Sequence, residues 1–423
     1  MLIELSVSNF LSFREKQTFS MAAAPRLRKK ENIFTPDVRG EKLPDLLKIA
    51  AIYGPNASGK SNLIKTLELT RDIASRRPSA QLSPLPIKPF RFDPLLANQP
   101  SRIELHFVCE GQRYEFEWAA TSERITEERL VAFPMGKETL MYKRHYVAGK
   151  DEYIFGKLEG GRDLRQTWQG LTGSQSFFIA QAVANSSESL QQLRRPFNWL
   201  LYGISVVHND MRGWAQASQD LAKDIPEYAK KLCLFLQEFD VPITDIRFDS
   251  VVSSTEHSAD EIIFETDQIT PSALTSSAKS KTTLTHETAL GRASFEFNEE
   301  SEGTKNLIGF WLPWLVNSEA LENLTRTLVV DELDSSLHPK IVACLIENHL
   351  KSKQRAQLIF TTHDTHLMDT KLLRRDQFWL TERDRNGATQ LRSIHDFDGR
   401  ENEDMEKRYY EGRYRGLPFL RKA

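Results

Sequence analysis

Cysteine is scarce: Cys109, Cys233 and Cys344 are the only three in 423 residues, and no two form a Cys-x-x-Cys pair. That spacing argues against a zinc site or a disulfide framework and fits a reducing compartment. Long apolar runs are missing too. None approaches the ~20 residues that a spanning helix needs, and no basic segment followed by an apolar stretch opens the chain as a secretion signal would. The expectation is a cytoplasmic protein without a membrane partner. Net charge is almost absent, with 56 basic against 58 acidic side chains. No global field therefore draws nucleic acid, although local basic clusters keep DNA open as a partner. Neither an internal repeat nor a heptad run sustained over several turns is present, which argues against a long coiled coil.

What is present centres on Gly54-Pro55-Asn56-Ala57-Ser58-Gly59-Lys60-Ser61. The apolar run Leu47 to Tyr53 predicts a strand before it, and the pattern from Lys60 through about Leu69 predicts a helix after it. In that setting G-x-x-x-x-G-K-[ST] is a phosphate-binding loop. The two glycines let the backbone turn inward without a Cβ between its amides and an anion. The helix N-terminus adds a positive end. Lys60 is expected to bridge the β- and γ-phosphates, and the Ser61 hydroxyl to ligate Mg²⁺.

Further along, Leu328-Val329-Val330 reads as a buried strand ending in Asp331-Glu332. A phosphate-loop enzyme needs an acidic residue at the end of a neighbouring strand to hold Mg²⁺ through water, the role expected of Asp331. Glu332 is then placed to polarise the attacking water as general base. Ser301-Glu302-Gly303-Thr304-Lys305 precedes an amphipathic helix (Asn306 to Val316). By itself it is a helix N-cap; ahead of the Asp-Glu strand it also suits an anion cradle. Ile359-Phe360-Thr361-Thr362-His363 is a second buried strand ending in a histidine whose imidazole could reach a γ-phosphate. Pro339 to Leu350 supplies a crossover helix between the two strands.

The rest of the chain is described more coarsely. Two short strands are expected before Phe19 and a basic loop from Pro25 to Pro44. A proline-rich stretch (Pro84, Pro86, Pro89, Pro94) follows, then a hairpin from Ile103 to Trp118 turning at Gly111-Gln112. Further strands run through Phe155. Asp163 to Phe239 is expected to be helical, with apolar residues three and four apart over Gln181 to Leu201 and Asp220 to Phe239. Val241 to Val252 and Ala293 to Asn298 read as strands, and the Ser/Thr-rich Thr270 to Thr288 as a mobile surface loop.

This order of motifs, together with Leu333-Asp334-Ser335-Ser336-Leu337-His338-Pro339, resembles ABC-type ATPases of the SMC/RecF kind. The stretches Glu300 to Thr304, Asp331 to Pro339, Asn9-Phe10-Leu11-Ser12-Phe13 and Tyr410-Glu411-Gly412-Arg413-Tyr414 are most similar to the small OLD-type and RloA-type ATPases of bacterial abortive infection and phage defence. The resemblance implies an α/β fold: an ABC-type P-loop head, with a mixed sheet and an antiparallel β subdomain, plus an inserted helical lobe. The expected division is a first half of the head over residues 1–160, the lobe over 161–240 and the second half over 241–423.

The resemblance also implies that ATP and Mg²⁺ are bound between two copies, in a homodimer or higher homo-oligomer. Ser301, Gly303 and Thr304 would then cap the γ-phosphate in trans, Asp334 and Ser335 would line the dimer interface, and His363 would be the switch histidine. No loop glutamine is assigned, since Gln81 and Gln99 both lie in proline-rich surroundings. The roughly sixty residues after His363 are too few for the Toprim nuclease of OLD proteins, and Asp396, Asp398 and Asp404 read as a polar turn. The expected partners are thus a separate effector, such as a Toprim nuclease, and a phage-encoded trigger. A RecF-like ATP-dependent DNA-binding repair protein is the rival reading, and a transporter ATPase subunit a weaker third.

Overall fold

In the computed structural model, the described residues are 1–76, 83–208, 210–250, 280–318, 326–335, 337–400, 403–414 and 416. They divide into two compact units. The first comprises Met1–Val206, Ala320–Glu332 and Ile346–Ala423, the second Val207–Glu319 and Leu333–Leu345. Within the expected lobe of residues 161–240, the helices before Val206 thus fall in the first unit and those after it in the second.

Two sheets build the first unit. Its antiparallel sheet contains β1 (Leu2–Ser8), β2 (Gln17–Ser20), β6 (Ser101–Cys109), β7 (Gln112–Ala120), β8 (Ile125–Phe133), β9 (Thr139–Val147) and β10 (Lys150–Phe155), in the order β10-β9-β8-β7-β6-β1-β2. The β6–β7 hairpin shows why. Ile103, Leu105 and Phe107 pair with Trp118, Phe116 and Tyr114 on a buried face, while Arg102, Glu104 and His106 alternate onto the other. Period-two patterning of this kind fixes both register and facing. Two-residue strands β3 (Ile33–Phe34) and β4 (Leu46–Leu47) pair separately.

The second sheet carries the motifs. It contains β5 (Ile49–Tyr53), β11 (Ile204–Val207), β15 (Thr327–Val330), β16 (Gln357–Thr361), β17 (Phe378–Arg383) and β18 (Thr389–Ser393), ordered β11-β15-β16-β5-β17-β18. Strands β15, β16, β5 and β17 run parallel, and β18 returns antiparallel along β17. Every residue of β5, β15 and β16 is buried, as expected of central parallel strands covered on both faces. Helix α1 (Lys60–Ala74) follows β5 and buries Leu63, Ile64, Leu67 and Ile73. Helices α2 (Arg162–Leu171), α3 (Phe178–Ala184) and α4 (Arg194–Tyr202) also belong to this unit, and α9 (Met405–Tyr410) closes it.

The second unit holds α5 (Arg212–Asp224), α6 (Pro226–Glu238) and α7 (Glu302–Ser318), with a three-stranded antiparallel sheet of β12 (Ile243–Ser250), β13 (Ser280–Thr288) and β14 (Gly291–Glu296). Helix α8 (Pro339–Lys351) joins β15 to β16.

Three expectations need correction. The helical reading of 163–239 misses β11, a short Ile-Ser-Val-Val edge strand paired to β15. The patterns over 181–201 and 220–239 each split in two. The first breaks at the Asn-Ser-Ser run from Asn185. The second breaks at Pro226, which lacks an N–H and holds Ile225 extended at φ −132°. In the Ser/Thr-rich stretch, residues 280–288 are strand rather than loop, because alternation of Thr283 and Thr285 with Leu284 fits a pleat whatever its polarity. Residues 270–279 lie outside the described residues.

Candidate functional site

The loop between β5 and α1 has the backbone that an anion cradle requires. Gly54 has φ +152° and Gly59 φ +108°, and Ala57 between them is also left-handed at φ +62°. A Cβ on Gly54 would collide with the hydroxyl and carbonyl oxygens of Thr381; one on Gly59 would strike Thr389 Oγ1. Glycine is therefore required at both positions by conformation and by space. Pro55 is half-buried and Asn56 and Ala57 are exposed, whereas Ser58, Gly59 and Lys60 are buried. Lys60 Nζ folds back over the loop, donating to the Gly54 carbonyl at 2.7 Å and the Pro55 carbonyl at 3.4 Å. Ser61 stands half-buried in the first turn of α1. A cation over the loop, amides at a helix N-terminus and a hydroxyl one residue on are a donor set that fits a nucleotide's phosphates and Mg²⁺.

The strand order puts the acidic pair and the histidine on the same side of β5. Strand β16 lies directly beside β5, and β15 beyond it, so His363 leaves the strand between the phosphate-loop strand and the Asp331-Glu332 strand. Thr361, fully buried at the end of β16, ties the acidic turn down. Its hydroxyl donates to Asp331 Oδ1 at 2.6 Å and accepts from the Glu332 N–H at 2.7 Å. Glu332 itself is left-handed, at φ +56°. A non-glycine residue there costs of order 1 kcal/mol, tolerated where the surroundings hold it. His363 is exposed, and Asp364 Oδ1 accepts from the backbone and the ring of His366. Just beyond, Thr365 Oγ1 donates to Glu406 of α9 at 2.7 Å.

At the foot of β5, Lys48 Nζ donates to the carbonyls of Leu350 and Ser352 around the end of α8. His349 sits at 3.2 Å from the Lys48 carbonyl, and burial pushes its pKa down to about 4, so it is neutral near pH 7. Burial also lowers the Lys48 ammonium.

The remaining predicted residues lie in the second unit. Ser301 caps α7: its hydroxyl accepts from the Thr304 N–H at 3.1 Å and lies 2.9 Å from Thr304 Oγ1. Ser301 is exposed, Gly303 half-buried and Thr304 buried. Just before the cap, Glu300 meets His286 of β13 at 2.6 Å. Asp334 and Ser335 follow the acidic turn, both half-buried, and the Asp334 carbonyl accepts from the Leu337 N–H. Gln81 lies outside the described residues; the Gln99 carbonyl accepts from the Asn9 side chain. Asp396 and Asp404 cap local turns.

Sequence reasoning missed four hydroxyls. Thr361 touches the acidic turn, Thr381 and Thr389 touch the loop, and Ser12 touches Thr389 and the first turn of α1. Only Ser12 carried a signal, inside Asn9-Phe10-Leu11-Ser12-Phe13. That motif is a tight turn in which Asn9 and Leu11 are left-handed and Phe10 and Phe13 are buried, which leaves Ser12 projecting to Asn62 of α1.

No curated protein matches the chain in sequence. Among solved structures, the SMC head domain from Thermotoga maritima is similar at 17% identity, over 93% of this chain and 98% of that one, with a TM-score of 0.39. The Smc head bound to the C-terminal winged-helix domain of ScpA is 14% identical over 93% and 97%, with a TM-score of 0.42. The Pyrococcus furiosus Smc head with an extended coiled coil is 11% identical over 93% and 96%, with a TM-score of 0.37. Scores this low leave the functional argument to the chain's own residues. One family model covers residues 49–167 and 183–369, taking in the phosphate loop, the Ser301 turn, the acidic pair and His363. It is described as "AAA domain, putative AbiEii toxin, Type IV TA system", and the chain, a P-loop ATPase in fold, belongs to that family.

Proposed function

We propose that this protein binds and hydrolyses ATP with Mg²⁺, pairs with a second copy around the nucleotide, and thereby controls a separate effector in bacterial anti-phage defence. The observation that carries the ATPase reading is the Thr361 bridge, which fixes Asp331 and Glu332 at the end of a strand two places from the phosphate-loop strand. In this reading Gly54 to Ser61 hold the phosphates and Asp331 and Ser61 the metal, which would neutralise charge on the transferring group. Glu332 takes the proton of the attacking water, and His363 lies against the γ-phosphate. Ser301, Gly303 and Thr304 act on the nucleotide of the second copy, with Asp334 and Ser335 at the junction. Closure around ATP would shift the effector between held and released states by differential affinity. The toxin named in the family description supports an output in growth arrest or defence.

The test is Glu332→Gln, assayed for phosphate release and, by light scattering, for assembly with ATP. Turnover should fall by about 10²- to 10⁴-fold, the usual contribution of a general base, while an ATP-dependent dimer accumulates. Unchanged turnover would remove Glu332 from the base role.

A further inference from the structure

Two threonines on the β17–β18 hairpin reach the back of the phosphate loop. Thr381 Oγ1 lies 2.5 Å from Ser58 Oγ and donates to the Tyr53 carbonyl at 3.2 Å. Thr389 Oγ1 donates to the Ser58 carbonyl at 2.7 Å and lies 2.7 Å from Ser12 Oγ, which accepts in turn from Asn62 Nδ2 at 2.8 Å. Both threonines are buried, and the Thr389 N–H donates to the Ser12 carbonyl, which fixes the hairpin to the N-terminal turn. The two carbonyls held in this way are those of the residues immediately before Gly54 and Gly59.

A trans peptide points its C=O and the following N–H in opposite directions. With the Tyr53 and Ser58 carbonyls turned toward the hairpin, the Gly54 and Gly59 N–H groups are turned away from it. The glycines themselves permit other backbone conformations, because without a Cβ they cost little to rotate. Something outside the loop has to select one, and these two hydroxyls touch the two peptide units concerned.

We propose that Thr381 and Thr389 are positioning residues for nucleotide binding: they hold the Tyr53 and Ser58 carbonyls so that the glycine N–H groups face the phosphates. The inference rests on reading Gly54 to Ser61 as the nucleotide site. It makes the β17–β18 hairpin a determinant of affinity. Each hydroxyl acts through a neutral hydrogen bond, so its loss should weaken binding by about three- to tenfold.

The experiment measures Mg-ATP affinity by calorimetry on the full chain for wild type, Thr381→Val, Thr389→Val, the corresponding serine variants and Lys60→Ala. Valine preserves shape and strand preference while deleting the hydroxyl. The expected result is weaker ATP binding in both valine variants, near wild-type binding in both serine variants, and an unchanged melting temperature without nucleotide once serine is restored. Wild-type affinity in the valine variants, alongside loss of binding in Lys60→Ala, would overturn the positioning role and leave the nucleotide site standing. A lower nucleotide-free melting temperature with unaltered affinity would overturn it equally, by showing the threonines to be structural. Failure of the wild type itself to bind Mg-ATP would overturn the nucleotide reading and this inference with it.

Discussion

The phosphate loop and the Ser301 turn both place a hydroxyl and a glycine at the start of a helix, yet they are held in different ways. The loop before α1 is gripped from outside by side chains remote in sequence: Thr381, Thr389 and, through Thr389, Ser12. Its own lysine folds over it. The turn before α7 is held by its own cap, with the Ser301 hydroxyl engaged by the N–H of Thr304, the third residue of the helix. A surface gripped from behind keeps its front free for a ligand. A self-capped turn has its hydroxyl committed to the helix while still presenting exposed residues outward. In the proposed reading, the first arrangement is the half-site that holds the phosphates. In the same reading, the second is the surface that meets the nucleotide of the second copy.

Substitutions can break or sharpen that contrast. The largest effect is expected from Lys60→Ala, which removes the cation over the loop; ATP affinity measured by calorimetry should drop by about 100-fold, in line with loss of charge-assisted bonds. Binding at wild-type strength would mean that the loop is not the phosphate cradle. Next is Thr361→Val, which frees the Asp331 carboxylate and strips the Glu332 N–H of its buried partner. Steady-state turnover should slow by about tenfold with ATP affinity kept, as expected for a lost buried bond of ~1–3 kcal/mol; equal loss of affinity and turnover would place Thr361 with the loop instead. The smallest is Ser301→Ala, for which denaturant unfolding should show about 1 kcal/mol of lost stability from the missing cap. No loss would erase the difference drawn between the two turns.

The site was more legible in the sequence than the middle of the chain. Gly54 follows β5, Gly59 and Lys60 open α1, Asp331 and Glu332 follow β15 and His363 follows β16, all as expected, because each belongs to a short run in which an apolar stretch gives way to polar residues. Periodicity predicts helix over 163–239, and β11 shows the limit of that expectation. Four residues of mixed polarity carry too little periodicity to declare a strand, and only pairing with β15 makes them one. Residues 280–288 fail for the opposite reason: composition suggested a loop, but β12 and β14 on either side supply the ladder.

The sequence alone determined the motifs of the candidate nucleotide site, since a glycine-bounded loop, a lysine and an acidic strand end are local patterns whose meaning depends on near neighbours. Tertiary structure decided which ordinary hydroxyls serve that site. Thr361, Thr381 and Thr389 carry no signal in the sequence, because hydrogen bonds between segments about 30 to 331 positions apart leave no periodic trace. Pairing of β16 with β15 brings Thr361 to the acidic turn, and pairing of β17 with β5 and of β18 with β17 brings Thr381 and Thr389 to the loop.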